Sequence, residues 1–228
     1  MNNIKKSTIV LCDYDGTITT FDTNMRLFDK YGDKKLMGEI KNRYYSDKVN
    51  IKTLANLQFS SLKMTEDEYL DYIHGDVKLQ DGFNTFYNSL KEANIPLAIV
   101  SGGFVNGIKP LLESHGYDDI PIYANKLEFN GHDIKVKFFD EEYLNNNTDM
   151  EANVDCKVEI LNEYRKKYER VVFIGDGSTD RNVASEADIL FAKDYLRRYC
   201  DRNDIEYIPW KDFNDINSWL SKRFMKKF

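Results

Sequence analysis

Three short polar clusters carry residue types that can transfer a phosphoryl group. Asp13-Tyr14-Asp15-Gly16-Thr17 sets two carboxylates two residues apart on one turn. Asp13 can act as a nucleophile. Asp15 can protonate a leaving alcohol and then activate water against the aspartyl phosphate. Burial and the neighbouring Asp13 would keep Asp15 from full ionisation. Ser101-Gly102-Gly103 offers a hydroxyl and a backbone N–H to phosphoryl oxygens, with a helix N-terminus following. Gly175-Asp176-Gly177-Ser178-Thr179-Asp180 adds further carboxylates. Asp13 and Asp176 would hold a hard octahedral cation, which suits magnesium. Phosphoryl transfer also needs charge neutralisation near the moving group. Lys157 is the best candidate because it lies at the start of the helix preceding the third strand; Lys126 is its rival. Each cluster alone reads equally well as a turn or a helix cap, and Asp22 equally as an N-cap.

Each cluster follows a short apolar run. Thr8 to Cys12, Pro96 to Val100 and Val171 to Ile174 read as buried strands, and Ile189 to Ala192 as a fourth. Helical spacing separates them: Phe83 to Ala93, Val105 to His115, Asp155 to Tyr168 and a closing helix over Asp212 to Lys226. Strands alternating with helices predict an α/β fold, a Rossmann-like, mostly parallel sheet with helices on both faces. Ligands then bind beyond the carboxyl ends of the strands, where all three clusters would converge. Ile122 to Phe139 reads as strands turning at Asn130-Gly131, and Asn145 to Thr148 as a solvated loop.

From about Thr23 to His74 the spacing is helical and no strand is evident. Met25, Leu27, Phe28 and Tyr31 suggest one apolar face. Ile51, Leu54, Leu57, Gln58 and Leu62 suggest another. Thr65 with Glu68 makes a capping-box pattern. This stretch interrupts the alternation after the first strand. It predicts a small helical cap over 20–80, inserted in a core domain of 1–19 and 81–228.

The chain has 228 residues, of which 42% are hydrophobic, enough for one large domain or a domain with an insert. A net charge of −6 with mixed signs excludes a nucleic-acid partner but not an anionic metabolite. Cys12, Cys156 and Cys200 are far apart and odd in number, which argues against a disulfide framework. Met1 to Ser7 is polar, with only five apolar residues before Asp13, too short for a signal peptide or membrane span. The expectation is a cytoplasmic monomer or homodimer with no membrane partner. His74, His115 and His132 form no metal pattern, and no Gly-x-x-x-x-Gly-Lys loop occurs. Most aromatic residues are expected in core and cap packing, with Tyr44 and Tyr45 as candidates for a pocket wall.

The ordered set Asp13-x-Asp15-Gly16-Thr17, Ser101-Gly102, Lys157 and Gly175-Asp176 with Asp180 resembles the four motifs of the haloacid dehalogenase superfamily over nearly the whole chain. The helical stretch resembles its phosphoserine phosphatase-like branch. Phe191 to Leu196, Cys200, Pro209, Asp212, Phe213 and Thr179 resemble the methylthiopentenyl phosphate phosphatases of methionine salvage. The resemblance implies a magnesium-dependent phosphatase acting on a small phosphorylated metabolite. It implies Asp13, Asp15 and Lys157 as catalytic residues and Asp13, Asp15 and Asp176 around the metal, Asp15 through its backbone carbonyl. Asp180 would support them, and Thr17, Ser101, Gly102, Asp22 and Asn56 would hold substrate. Asp22 corresponds to the acidic residue at the start of the cap. Asn56 stands where phosphoserine enzymes place an arginine, and only Cys156 stands where the salvage enzymes have a cysteine-rich stretch. A phosphoserine phosphatase, a phosphomutase or a non-enzymatic phosphate-binding module are the rival readings, and release of inorganic phosphate separates the phosphatase from the phosphomutase.

Overall fold

The computed structural model describes residues 6–46, 50–139 and 156–223. Seven strands form one sheet in the order β4-β3-β2-β1-β5-β6-β7. They are β1 (Lys6–Cys12), β2 (Leu97–Phe104), β3 (Ile122–Asn130), β4 (Asp133–Lys137), β5 (Tyr168–Gly175), β6 (Ile189–Ala192) and β7 (Ile208–Pro209). All neighbours pair in parallel except β3 and β4, whose antiparallel hairpin turns at Gly131 with φ 60°. The chain runs outward from β1 to β4, then returns to place β5 on the other side of β1. That reversal opens a crevice at the carboxyl ends of β1 and β5.

Both faces of the sheet are covered, as strands apolar on both sides require. Along β1, Val10 and Cys12 enter one buried cluster and Ile9 and Leu11 the other. Helices α1 (Thr23–Tyr31), α2 (Lys34–Tyr45), α3 (Ile51–Ser61) and α4 (Glu66–Asp76) lie between β1 and β2 in the chain. The segments leaving and re-entering the sheet pair through Thr19 and Leu79. Thr20 N–H donates to Lys78 O and Gln80 N–H to Ile18 O. The Thr65–Glu68 capping box is formed.

The remaining helices are α5 (Phe83–Glu92), α6 (Val105–Ser114), α7 (Cys156–Arg165), α8 (Arg181–Ala184), α9 (Asp194–Arg202) and α10 (Phe213–Arg223). Three expectations need correction. Strand β2 does not stop before Ser101. It continues to Phe104 with a register shift between Val100 and Phe104, because β3 supplies a partner for the extra residues. In α1 only part of the expected face is buried. Leu27 and Phe28 are buried, but Met25 and Tyr31 are exposed. Likewise Phe59 and Leu62, not Ile51, bury the face of α3. The short helix α8 and the longer α9 are additional to those expected. Asn145 to Thr148, Asp155 and the side chains of Tyr44 and Tyr45 lie outside the described residues.

Candidate active site

The register of the sheet brings the sequence clusters together. Cys12 lies beside Ile99 on one side and Ile174 on the other. Asp13, Ser101 and Asp176 therefore leave the same edge within two residues of one line. Asp13 N–H is tied to Ile174 O at 2.9 Å.

Asp13, Asp176 and Asp180 each present an oxygen, all within 4.8 Å of one another. Such a cluster of hard oxygen donors fits a magnesium ion. Thr17, fully buried, donates its hydroxyl to Asp176 Oδ1 at 2.8 Å. Its proton is thus committed to the metal-ligand candidate. Gly16 must lack a side chain, since a Cβ there would stand 2.5 Å from Asp176 Oδ2. Asp180 accepts the N–H groups of Asp176 and Gly177 at 3.2 and 3.0 Å, which supports its assignment as a residue that holds the turn.

Lys157 is buried at the start of α7. Its ammonium reaches Asp13 Oδ1 at 2.9 Å, Asp180 Oδ1 at 2.6 Å and Thr179 Oγ1 at 3.4 Å. Burial alone would lower its pKa, but Asp13 and Asp180 prevail and raise it, so it stays cationic. Lys126 lines a different cavity with Glu66 and Asn106. Burial, then Asp180, raise Asp13 well above the usual carboxylate range, against the pull of Lys157.

Asp15 is pushed up to about 7, first by burial and then by Asp22. Two residues of α1 hold it. Thr23 donates both its N–H, at 3.0 Å, and its hydroxyl to Oδ1, and Asn24 Nδ2 reaches Oδ2 at 3.3 Å. Gly103 is bare because a Cβ there would collide with Asp15 Oδ2. Asp176 is raised to about 6, mainly by burial, with the Thr17 bond opposing.

Ser101 Oγ accepts the Gly103 N–H at 2.9 Å, and Gly102 O is held by Asn125. Ser101, Gly102 and Lys157 form the polar end of a cavity of about 380 Å³, and Ile51, Ala55 and Phe138 are among its apolar walls. Asn56 is exposed and does not line it. The cation of α3 at this wall is Lys52, one turn earlier, with its Nζ 5.2 Å from the centre of the Phe138 ring. Asp22 caps α1 by accepting from Met25 N–H at 2.9 Å, and it borders a second cavity shared with Gly16 and Asp176. Sequence reasoning missed Thr23, Asn24, Lys52 and Arg181, brought to the site by the first turns of α1 and α3 and by the turn after Asp180. For Thr23 and Asn24, their place just after Asp22 was the available signal.

The geometry thus joins a buried carboxylate beside a lysine, a second carboxylate poised near neutrality, and a hard-cation cluster. Comparison with known proteins agrees. The profile of haloacid dehalogenase-like hydrolases matches residues 10–185. A 2-hydroxy-3-keto-5-methylthiopentenyl-1-phosphate phosphatase of Bacillus cereus (strain B4264) is 29% identical over 217 residues, 92% of this chain and 94% of that one. Its counterpart in Exiguobacterium sibiricum is 28% identical over 211 residues, 91% and 93% of the two chains. A phosphoserine phosphatase solved as an analogue of its phospho-aspartyl intermediate superposes with a TM-score of 0.69. It is 22% identical, covering 94% of this chain and 99% of that one.

Proposed function

From the premise that the chain belongs to the haloacid dehalogenase-like hydrolase family and is a phosphoric monoester hydrolase, we propose that it hydrolyses a small, apolar-tailed phosphomonoester through a phosphorylated Asp13. The observation that carries this reading is Asp13, buried and 2.9 Å from the Lys157 ammonium, with Asp15 on the same turn. Asp13 attacks phosphorus. Lys157 neutralises developing charge, as do the Ser101 hydroxyl and the Gly102 N–H. Asp15, with a pKa of about 7, delivers a proton to the leaving oxygen and then takes one from water. Asp13 and Asp176 would hold magnesium, with Asp180 supporting the turn. Magnesium supplies charge neutralisation at the phosphoryl oxygens.

The leaving group would occupy the cavity beneath α3. Its walls of Ile51, Ala55 and Phe138 favour an apolar tail. Asn56, at the position of the phosphoserine enzymes' arginine, is exposed and does not line this cavity, so a phosphoserine carboxylate would depend on Lys52 or Arg181, which do line it. The methylthiopentenyl phosphate of the Bacillus and Exiguobacterium relatives meets these requirements. Specificity constants for that compound and for phosphoserine, measured side by side with magnesium, test the substrate assignment. A clear preference for phosphoserine would overturn it.

A further inference from the structure

Lys193 is a buried cation that feels the carboxylates of Asp176, Asp194 and Asp212 but makes no direct ion pair among the described residues. It follows β6, whose Ala192 is registered beside Gly175, so it leaves the sheet one strand from Asp176. It is 7% exposed and borders the second cavity, of about 680 Å³, together with Asp176. Among the described residues its ammonium makes no ion pair or hydrogen bond. Its Nζ instead stands 4.2 Å from the centre of the Trp210 ring. An unpaired buried ammonium is costly, and an aromatic face recovers part of that cost. The surrounding turn is anchored to the same residue. Leu196 N–H donates to Asp176 O at 2.8 Å, and Asp194 is held at φ 47°, a conformation unfavourable for a residue with a side chain.

A charge tally suggests why the cation is there. Asp13, Asp176 and Asp180 carry three negative charges when ionised, and Lys157 carries one positive. A divalent ion would bring these four residues to neutrality, so beyond the local contacts of Lys157, Ser101 and the ion they carry no net charge that draws a phosphate monoester dianion. Lys193 adds one positive charge that acts on Asp176, whereas Lys157 is bonded to Asp13 and Asp180. Its ammonium stands against the Trp210 ring rather than in an ion pair.

We propose that Lys193 is a positioning residue of the phosphoryl-transfer centre: its fixed charge, acting through space, weakens magnesium binding and in exchange draws the anionic substrate. This rests on the reading of the carboxylate cluster as the metal site of a phosphatase. Like charges repel and opposite charges attract by the same Coulomb law, so removing the charge must move the two affinities in opposite directions. A lysine needed only for packing would weaken both or neither.

The test uses Lys193→Met, Lys193→Gln and Lys193→Arg at neutral pH. Magnesium affinity is measured by calorimetry on the enzyme without substrate. KM and kcat for para-nitrophenyl phosphate are measured at saturating magnesium. Both neutral variants are expected to bind magnesium more tightly, on the order of tenfold, while KM rises by a similar factor. Lys193→Arg should return both values toward wild type. If Lys193→Met does not fold, Lys193→Gln carries the comparison. Unchanged affinities, or weakening of both together, would overturn the proposal. A wild-type protein that takes up no magnesium would instead overturn the metal-site reading, and this proposal with it.

Discussion

Asp13 and Asp15 share a turn but are given different work by their surroundings. Asp13 meets the Lys157 ammonium, whereas Asp15 meets hydrogen-bond donors of α1 and the negative charge of Asp22. Asp13→Asn should abolish turnover, since an amide neither attacks phosphorus nor matches a carboxylate as a magnesium ligand; a steady-state phosphate-release assay checks this. Asp15→Asn should slow turnover by about 100- to 10,000-fold. With a pKa of about 7, phosphorylation of Asp13 should slow as pH rises above that value, and hydrolysis of the intermediate should slow as pH falls below it. Single-turnover rates for the two steps across pH would reveal the opposed limbs. The same shift has a sign for stability. The folded pKa lies above the ordinary value of about 3.9, so this group's contribution is fully present below about pH 4 and is lost as pH rises through about 7. In metal-free protein, Asp15→Asn should lack that part of the decline, and thermal midpoints measured at about pH 5 and about pH 8 would show it.

At the scale of elements, helix α1 is joined to the chemistry by more than proximity. The first residue of α1 is Thr23, and its two bonds to Asp15 lower that carboxyl's pKa against burial. Thr23→Val removes the hydroxyl bond and should move the Asp15-dependent limbs of the pH profile upward; an unmoved profile would show that Thr23 serves only as a structural tie. Helix α3 packs on β4 of the hairpin, and Lys63 of the following segment pairs with Asp133. The hairpin thereby holds the wall that carries Ile51 and Ala55. The exposed Lys63–Asp133 pair itself adds little, as surface pairs generally do.

For the whole molecule, residues 20–80 are proposed as a lid over the crevice between β1 and β5. A closed lid excludes water and admits only small substrates. Metabolite phosphates should therefore be turned over much faster than a folded phosphoprotein, and efficient dephosphorylation of the latter would contradict the lid. Magnesium bound only by the folded chain should stabilise it by mass action, about 2.7 kcal/mol at one hundred times the dissociation constant. Chelation should remove that gain along with activity, and thermal melts with and without the chelator measure it. Among the described residues no helix is long and apolar enough to cross a membrane.

Local signals in the sequence determined much of this. The runs before Asp13 and Asp176 had to be strands because they are short, β-branched and apolar. Asn130-Gly131 dictated the hairpin because its turn needs a residue tolerant of positive φ. Thr65 and Glu68 specified a helix start, since their reciprocal bonds involve only four consecutive residues. The order of the chemical clusters followed from the strands they terminate. Tertiary structure alone decided what depends on partners far away in the chain. Strand β2 runs through Ser101 because β3 pairs with it. The cavity reaches the turn of α3 holding Ile51, Lys52 and Ala55 but excludes Asn56. That distinction is one helical turn, about 5.4 Å along the axis, and it is set by how α3 docks on the hairpin. Thr23 and Lys193 look like ordinary polar residues in the sequence. They meet Asp15 and the Asp176 side of the site only after the cap has folded over the sheet and β6 has joined β5, because spacing along the chain encodes periodicity but not which distant surfaces will face one another.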